Sequence, residues 1–478
     1  MPKNYGNVLK KIIIGYLKKS NKKNIFFADS EYKYDQSQFA SKVFKYQIEF
    51  EKIWKNKKKN RGVGILLDRS IDYIAIIFAI WLSGGYYVPL SILSPKKNIN
   101  YQIKNSNLSL IIHKKNGVVK FKEILNKQKK FFKINDNEIA YIIFTSGSTG
   151  QKKGVIIKKS SFVNYIENLK KVFEKKRKPK SILINGEMTF DISLADFAFA
   201  FIFNAGLSIT SDSRNLISLI YMLNKYKINS LYVVPSTLEK IVNFLQKNKN
   251  YKFLNTTQIN CGGELLPYKL INEAKKIFKK AVFYNFYGPT EFTINSTYHK
   301  INLNRTYRTD SIPIGKPLPN TKYIIRKNKK NDSHGELLLN GEQLMFGYTN
   351  SKNPFLKLNK QIYYKTGDLV NENKKDGLFF VSREKDYIKH LGYRINLENI
   401  QKIISKKCDT ECKIVYKKNL LFGFIKSNKK INSTIILNKI KLSLENYEIP
   451  NKFIFLNDFL YSSSGKIDLQ TMIDKHIK

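Results

Sequence analysis

An α/β fold with a large N-terminal domain and a smaller C-terminal domain is predicted by three features of this sequence. Strand-like and helix-like apolar stretches alternate along most of the chain, and from about Ser311 they give way to short strands and turns. After Arg383 a short, lysine-rich segment with both helix and strand patterns begins. Alternating elements are typical of layered architectures with a mostly parallel sheet. We therefore expect residues 1–384 to form the large domain and residues 385–478 the small one.

The clearest strand–helix–strand unit lies between residues 61 and 90. Residues 61–68 are typical of a buried strand, and the next helix is predicted to end at Ser83, because two glycines follow it. Residues 86–90 then form the next strand. The same apolar periodicity predicts further strands at 139–144, 181–185, 231–234, 257–260 and 335–341, and helices at 160–173, 194–203 and between the strands 231–234 and 257–260.

The composition indicates a globular protein without a specific nucleic-acid partner. The chain has 478 residues, of which 42% are hydrophobic, so it is long and apolar enough for two to four domains of about 150 residues each. A net charge of +48 is typical of nucleic-acid or membrane binders. However, the lysines are spread over the whole length among asparagines, and no stretch alternates basic and aromatic residues.

Cysteine usage and the lengths of the apolar runs predict a protein of the reducing cytoplasm. Cys261, Cys408 and Cys412 give neither a disulfide framework nor a complete zinc site. The apolar run 12–14 is too short for a signal peptide. The longest apolar run, 74–82, is far below the roughly 20 residues that span a bilayer, so we expect no membrane span.

A glycine- and hydroxyl-rich segment, TSGSTGQKKG at 145–154, directly follows a predicted strand. Glycines let the backbone approach a phosphate group, N–H groups and hydroxyls can surround its oxygens, and Lys153 can supply a countercharge. It is not a Walker loop, because Gly-Lys-Ser/Thr is missing at the required spacing. The alternative is a flexible Ser/Gly turn. The residues assigned to phosphate binding are Thr145, Ser146, Gly147, Ser148, Thr149, Gly150 and Lys153.

This segment resembles the phosphate loop of the adenylate-forming superfamily, which includes acyl-CoA synthetases, luciferases and the adenylation domains of nonribosomal peptide synthetases. Lys152 stands where those proteins usually carry proline. The resemblance covers nearly the whole chain and implies the superfamily's fold, with a small, mobile C-terminal domain. Each motif alone could be an ordinary surface feature, but five matches in order exclude chance. The four further motifs are NFYGPTE at 285–291, YKTGDL at 364–369, KxxGYRI at 389–395 and SGKID at 464–468.

The resemblance implies ATP and Mg²⁺ as cofactors. An aromatic ring of the second motif would stack on adenine, Thr290 would bind the α-phosphate, and Glu291 would bind Mg²⁺, which prefers oxygen ligands. Asp368 would accept from both ribose hydroxyls, and Arg383 would also reach the ribose. The residues assigned to ATP or AMP outside the phosphate loop are Gly263, Glu264, Asn285, Phe286, Tyr287, Gly288, Asp368 and Arg383.

The implied reaction has two steps. The substrate carboxylate attacks the α-phosphorus of ATP and pyrophosphate leaves; a thiol then attacks the adenylate to give a thioester. Lys466 would act where the carboxylate meets the phosphate, so we assign catalysis to Lys466, Thr290 and Glu291. Lys385 aligns with the family's hinge, where one residue absorbs the domain rotation.

The segment Phe190 to Ser193 resembles the Phe-Asp-x-Ser segment of amino-acid-activating members, in which the aspartate holds the substrate's ammonium group. A buried Asp191 would need such a partner. The alternative is that Asp191 caps the helix 194–203. By position in the family, the other residues assigned to the substrate pocket are Ile192, Ala195, Tyr232, Ile259, Cys261, Phe286, Ile294 and Asn295.

A small amino acid is the expected substrate, because Tyr232 and Phe286 are bulky. CGGELLP at 261–267 also resembles the stand-alone D-alanine-activating ligases of teichoic acid modification. The chain ends about a dozen residues after Lys466, so we expect the thiol to be the phosphopantetheine of a separate carrier protein. Two alternatives are an acyl- or aryl-CoA ligase, disfavoured by Asp191, and a nonenzymatic basic binding protein, disfavoured by the intact motifs.

Overall fold

The structure is a computed structural model. The residues that it describes are 5–18, 25–55, 60–94, 96–124, 134–145, 152–173, 178–248, 255–305, 307, 311–327, 329, 331–383, 387–390, 393–417, 420–427, 432–441, 443–444, 448–462 and 467–477, with the backbone alone at 387–390 and 393–396.

The chain divides into two compact units. The first comprises Met1–Ile324, Leu338–Thr366 and Glu372–Phe379, and the second Ile325–Leu337, Gly367–Asn371 and Phe380–Lys478. The predicted boundary between residues 384 and 385 lies outside the described residues.

The larger sheet of the first unit has nine strands in the described part of the chain, and its centre is parallel. Strand pairs at both ends are antiparallel, whereas the pairs between the central strands are parallel. In spatial order the strands are β15 (Lys316–Pro317), β14 (Thr297–Lys300), β13 (Val282–Tyr287), β12 (Gln258–Gly262), β11 (Ser230–Val233), β9 (Ser181–Ile184), β10 (Gly206–Ile209), β1 (Phe26–Ala28) and β2 (Lys33–Asp35).

A second sheet of the first unit has seven strands within the described ranges. Its centre is again parallel, and each side ends in antiparallel pairs. In spatial order the strands are β18 (Gly347–Tyr348), β8 (Lys153–Lys158), β7 (Ile139–Thr145), β4 (Tyr86–Pro89), β3 (Gly62–Leu66), β5 (Leu110–Lys115) and β6 (Val118–Glu123).

The helices of the first unit cover these sheets. Those described are α1 (Tyr5–Lys18), α2 (Gln36–Trp54), α3 (Ile71–Leu82), α4 (Lys96–Lys104), α5 (Lys159–Phe173), α6 (Ile192–Phe203), α7 (Leu216–Lys225), α8 (Pro235–Lys247) and α9 (Tyr268–Ile277), with 3₁₀ turns at Asp136–Glu138 and Thr290–Phe292.

Sequence chemistry accounts for several of these helices. In α2 a capping box pairs Asp35 with Gln38, which satisfies free N–H groups of the first turn. Helix α3 is apolar on all sides and almost completely buried, as expected for a helix within a core. Helices α1, α3, α5 and α6 share one continuous apolar core with strands of both sheets.

The second unit contains a small αβ segment with its own apolar core. Strands β22 (Tyr387–His390) and β23 (Tyr393–Asn396) pair antiparallel, and a three-stranded sheet follows. The elements of that sheet and its helices are β24 (Cys412–Lys417), β25 (Leu420–Lys426), β26 (Lys452–Leu456), α10 (Leu397–Cys408), α11 (Ser433–Ile440) and α12 (Leu469–His476). The remaining described strands are β16 (Lys322–Arg326), β17 (Gly335–Asn340), β19 (Phe355–Leu358), β20 (Gln361–Asn373) and β21 (Gly377–Arg383).

The predicted α/β fold class is confirmed. Each predicted strand and helix is present with ends shifted by a few residues; the strand predicted at 61–68, for example, is β3 at Gly62–Leu66. Helix α6 begins at Ile192, earlier than the predicted 194. Among the described helices, none is both long and apolar enough to cross a bilayer.

Candidate functional site

The segment from Gly288 to Ser296 is a tight loop between β13 and β14. The N–H of Ser296 donates to the carbonyl of Tyr287 at 2.8 Å, which closes the loop. Thr293 and Ile294 both have left-handed backbones, with φ of 54° and 71°. Gly288 is required by a close approach, because a Cβ there would lie 2.4 Å from the carbonyl oxygen of Ile294. We call residues 288–296 the 288–296 loop.

This loop contacts Asp191, which precedes helix α6. The Thr290 side chain and the Ile294 backbone interact with the Asp191 carboxylate and lower its pKa. Asp191 stands at the N-cap position, but its side chain makes no capping hydrogen bond to the described first turn of α6. Asp191 thus occupies the cap position of the alternative interpretation, but its side chain does not cap the helix.

The Asp191 carboxylate is buried, and one of its two oxygens lacks a hydrogen-bond partner among the described residues. Its exposed fraction is 7%, and its Oδ2 has no hydrogen-bond partner among the described residues. Burial raises the pKa of Asp191 to about 7, against the hydrogen bond from Thr290, which lowers it, while the charge of Glu291 raises it further. A buried carboxylate oxygen without a hydrogen-bond partner is suited to a ligand that carries a cationic hydrogen-bond donor.

Four buried tyrosines lie within electrostatic range of Asp191. The charge of Asp191 contributes to the raised pKa values of all four, although burial is the main cause of each shift. The phenol oxygens of Tyr87 and Tyr141 have no hydrogen-bond partner within the described ranges. The four residues, each on a different element, are Tyr87 on β4, Tyr141 on β7, Tyr165 on α5 and Tyr232 on β11.

Asn295 connects two of these tyrosines. The Tyr232 hydroxyl donates to Oδ1 of Asn295 at 2.9 Å, and Nδ2 of Asn295 donates to the Tyr165 oxygen at 2.8 Å. All three residues are buried. Asn295 was assigned to the substrate pocket; in the structure its amide bonds to the protein on both sides, so it shapes the space around Tyr232.

The structure brings some predicted pocket residues together and separates others. Tyr232 and Phe286 contact each other with ring centroids 5.7 Å apart, and with Ala195 and Ile294 they belong to the core around α6. Ile259 and Cys261 lie instead in the core with α8 and α9. Successive side chains of a strand point to opposite faces. On β12 it is therefore Gly262, not Cys261, that faces Tyr232: a Cβ on Gly262 would lie 2.4 Å from the Tyr232 oxygen.

Glu291 lies in a second polar cluster of the first unit. Its Oε1 accepts from the Tyr348 hydroxyl at 2.7 Å, and the Tyr364 hydroxyl also bonds to this carboxylate. The Lys153 ammonium lies 5.3 Å from the centre of the Tyr348 ring. The predicted phosphate-binding lysine and the predicted Mg²⁺ ligand are thus joined by Tyr348, a residue that the sequence analysis missed.

The other residues predicted to bind nucleotide differ in their surroundings. Thr145 pairs with Lys153 across β7 and β8, whereas residues 146–150 lie outside the described residues. Glu264 accepts from the N–H and the hydroxyl of Ser236 at 2.9 and 3.0 Å, so it binds the N-terminal turn of α8. Gly263 beside it has a left-handed φ of 84°. The Asn285 amide, on β13 before the 288–296 loop, donates to the carbonyl of Pro313 at 2.9 Å.

In the second unit, the predicted ribose residues form an ion pair. Nε of Arg383 lies 2.9 Å from Oδ1 of Asp368, whose side chain is 2% exposed. The preceding residue, Gly367, has a φ of 67° and donates its N–H to Glu336 at 3.1 Å. Glu336 also pairs with Arg326. The hinge candidate Lys385 and the catalytic candidate Lys466 lie outside the described residues.

Glu291 could hold a metal ion as a single carboxylate ligand. Within the described ranges, no group of three or more His, Cys, Asp or Glu side chains could hold a metal. Mg²⁺ often keeps several waters and binds one or two carboxylates together with substrate phosphates. Glu291, a single carboxylate near Lys153, fits that pattern.

Comparison with known proteins identifies relatives along most of the chain. Residues 55–349 match the family described as AMP-binding enzyme. Zwittermicin A synthase ZmaJ of Bacillus cereus is 29% identical over 447 residues, which cover 86% of this chain and 84% of that protein. Bacitracin synthase 2 of Bacillus licheniformis is 26% identical over 458 residues. These cover 87% of this chain but only 17% of that much longer protein.

Solved structures share the fold at low sequence identity. AB3403, a four-domain nonribosomal peptide synthetase bound to AMP and glycine, has a TM-score of 0.75 and 22% identity, covering 98% of this chain and 36% of that one. The o-succinylbenzoate CoA synthetase MenE of Bacillus subtilis, in complex with its acyl-adenylate, has a TM-score of 0.77 and 16% identity, covering 97% of each chain. The predicted resemblance to adenylate-forming enzymes is therefore confirmed.

Proposed function

This chain belongs to the AMP-binding enzyme family and is thus an adenylating ligase, and we propose that its substrate is a small amino acid. In the proposed reaction the amino acid is joined to AMP from ATP with release of pyrophosphate. The aminoacyl group is then transferred to the phosphopantetheine thiol of a separate carrier protein.

The unpartnered Oδ2 of Asp191 is the observation that carries the choice of an amino acid. An α-ammonium group would supply the missing donor and the compensating charge. A fatty or aryl acid brings no cation and would leave a buried carboxylate unpaired, which is costly. Asp191 therefore supports an amine-bearing acid over the substrates of acyl- and aryl-CoA ligases.

The bulk of Tyr232 and Phe286 supports a small side chain. Tyr232 and Phe286 are buried, and the hydroxyl of Tyr232 is bound to Asn295. Moving Tyr232 aside would break this hydrogen bond and leave buried polar groups unsatisfied. We therefore expect glycine or alanine to be the preferred substrate.

ATP would supply the adenylyl group, and Mg²⁺ would neutralise charge on its phosphates. The chain's own residues would bind and orient the ATP molecule. Lys153 would contact phosphate oxygens, and Glu291, oriented by the Tyr348 hydroxyl, would hold the ion. Thr290 keeps its predicted role at the α-phosphate, for which its hydroxyl would turn away from Asp191. Asp368 and Arg383 keep their predicted role at the ribose, and Lys466 keeps its predicted role at the reacting carboxylate.

A carrier protein is the proposed thiol donor, and coenzyme A is the alternative. AB3403, which shares the fold, is a nonribosomal peptide synthetase, and its structure contains AMP and glycine. MenE, which also shares the fold, is a CoA synthetase. Asp191 favours the first of these two branches, because it provides for an ammonium group.

ATP–pyrophosphate exchange tests the proposal. The panel contains L- and D-amino acids, β-alanine, and simple fatty and aryl acids. We expect exchange with one small amino acid, its loss in Asp191→Asn, and normal exchange in the control Asp212→Asn, which changes a surface loop. Exchange with amine-free acids alone would reject the amino-acid substrate and favour the CoA-ligase branch.

A further inference from the structure

Gln343, between β17 and β18, is a fully buried glutamine whose polar groups are all engaged. Its exposed fraction is 0%. Nε2 donates to the carbonyl oxygen of Asn295 at 2.8 Å and lies 3.3 Å from those of Phe292 and Thr293. Oε1 accepts from Nδ2 of Asn168 on α5 at 2.8 Å. One side chain thus joins three carbonyls of the 288–296 loop to a helix.

The backbone around Gln343 holds the same loop. The Gln343 carbonyl accepts from the Thr293 hydroxyl, and the N–H of Met345 donates to the carbonyl of Glu291 at 2.9 Å. The carbonyl of Leu344 accepts from the Ser161 hydroxyl of α5 at 3.0 Å. Residues 343–345 therefore fix the loop to the core through main-chain and side-chain bonds.

The loop needs such support because its conformation is intrinsically unfavourable. Thr293 and Ile294 are consecutive β-branched residues with left-handed backbones. This region is crowded for any L-residue with a Cβ, and β-branched residues rarely adopt it. Such backbones persist where surrounding contacts enforce them, and they occur preferentially at functional sites.

This unfavourable conformation has a consequence at Asp191. With Ile294 in the left-handed region, its backbone interacts with the Asp191 carboxylate, and the Thr290 side chain does the same from the start of the loop. The loop thus holds one side of the carboxylate while Oδ2 stays without a partner among the described residues. A relaxed loop would withdraw the Ile294 N–H and free the carboxylate to rotate.

We propose that Gln343 is a positioning residue: by holding the 288–296 loop it fixes Asp191 in the orientation that receives the substrate's ammonium group. The proposal rests on the proposed function for the identity of the ligand, but not for the loop contacts. The Gln343 side chain bonds to residues 292, 293 and 295, whereas Glu291 is held separately by the Met345 N–H and the Tyr348 hydroxyl. Its effect is therefore directed at the acid substrate, and the nucleotide is affected less. A glutamine that only filled core volume would have no such selective effect.

The test replaces the amide while keeping the length of the side chain. Gln343→Met removes every polar contact of this side chain, and Thr293→Val removes only the hydroxyl that bonds to the Gln343 carbonyl. The matched control is Asn320→Gly. Asn320 donates to Oδ1 of Asn168 at 3.1 Å, on the far side of the same network, and glycine accepts its left-handed φ of 61°.

Two measurements are made on each variant. Hydrogen exchange of the ligand-free protein reports opening of residues 290–297, with α8 as the internal reference. ATP–pyrophosphate exchange gives kcat, the KM of the acid and the KM of ATP. For Gln343→Met we expect hydrogen exchange in 290–297 to accelerate by about 10-fold with α8 unchanged. The kcat/KM for the acid should fall by roughly 100-fold, and the KM of ATP should change by less than about 3-fold.

Thr293→Val should show the same pattern more weakly, and it decides the question if Gln343→Met does not fold. Asn320→Gly should behave as the wild type. Unchanged hydrogen exchange in 290–297 would overturn the proposal, as would a loss that falls equally on ATP and acid. If the wild type responds only to amine-free acids, the proposed function fails at its substrate. The hydrogen-exchange result then still decides whether Gln343 holds the loop.

Discussion

The hydroxyl of Tyr348 donates a 2.7 Å hydrogen bond to Oε1 of Glu291. The ring of the same tyrosine contacts Lys153, whose ammonium lies 5.3 Å from the ring centre. Tyr348 reaches both because β18 pairs with β8, with Tyr348 opposite Val155. One phenol thus orients the proposed metal ligand and contacts the proposed phosphate-binding lysine.

Tyr348→Phe should weaken the use of Mg²⁺ while keeping the ring against Lys153. Loss of a group that orients a metal ligand typically costs 10- to 100-fold in metal affinity or activity. We therefore expect the Mg²⁺ concentration for half-maximal pyrophosphate exchange to rise by about 10-fold. Tyr363→Phe is the control, because the Tyr363 hydroxyl on β20 donates to Gln361 rather than to Glu291. An unchanged Mg²⁺ dependence would show that Tyr348 does not orient Glu291.

The KM of the amino acid should depend on pH through Asp191. Burial raises the pKa of Asp191 to about 7 in the free protein, so an ammonium substrate must displace a proton at lower pH. The KM should fall by about 10-fold between pH 6 and pH 8 and then level off. The control Asp212→Asn, which changes a surface loop, should keep the pH dependence of the wild type. A KM that is flat over this range in the wild type would contradict the assignment.

Asp191→Asn should stabilise the ligand-free protein at pH 8. The folded-state pKa of Asp191, about 7, lies above its ordinary value of 3.8, so the folded state favours the neutral carboxyl. Stability from this group is present at low pH and is lost as the pH rises from about 4 to about 7. Asparagine does not titrate. The difference in Tm between variant and wild type should therefore be small at pH 5 and reach a few degrees at pH 8, measured by calorimetry.

Gly288→Ala should disable the 288–296 loop without unfolding the protein. A Cβ at this position would meet the carbonyl oxygen of Ile294 at 2.4 Å, and backbone cannot move aside as a side-chain end would. Overpacking of this kind costs about 1–3 kcal/mol. We expect a cooperative thermal transition shifted by a few degrees and loss of most pyrophosphate exchange. Full activity at an unchanged Tm would mean that the loop relaxes freely.

Tyr232→Leu should extend the substrate range to larger amino acids, whereas Cys261→Ala should not. Tyr232 faces α6 together with Phe286, whereas Cys261 lies in the core with α8 and α9. Relative exchange rates over a series from glycine to leucine measure the difference. A broadened range in Cys261→Ala would place that residue in the pocket after all.

The sequence was sufficient for the elements of the fold, whereas the roles of the polar site residues remain predictions. Apolar periodicity marks α3 and β7 without reference to the rest of the chain, because each follows a simple local rule. Lys153 and Glu291 could be predicted because their motifs are continuous in sequence. The roles of Ser146 and Lys466 remain predictions, since both lie outside the described residues.

The residues that support the site could not be predicted, because their partners are far away in sequence. Gln343 bonds to a loop 48 residues earlier, and Tyr348 to a carboxylate 57 residues earlier. No local sequence pattern distinguishes a glutamine or tyrosine that is buried and hydrogen-bonded from one that is exposed to solvent. The separation of Cys261 from Tyr232 was also hidden, because strands buried on both faces show no alternation of apolar and polar residues.

The parallel pairing of β1 with β10 has a consequence for synthesis of the chain on the ribosome. Ala28 lies opposite Ser208, so 180 residues separate the two partners. The Tyr16 hydroxyl likewise needs the carbonyl of Ala205. At 5–20 residues per second, the N-terminal segment waits about 10–40 s for its partner strand to be made. During that interval β1 lacks this partner strand, so its apolar side chains are available to molecular chaperones.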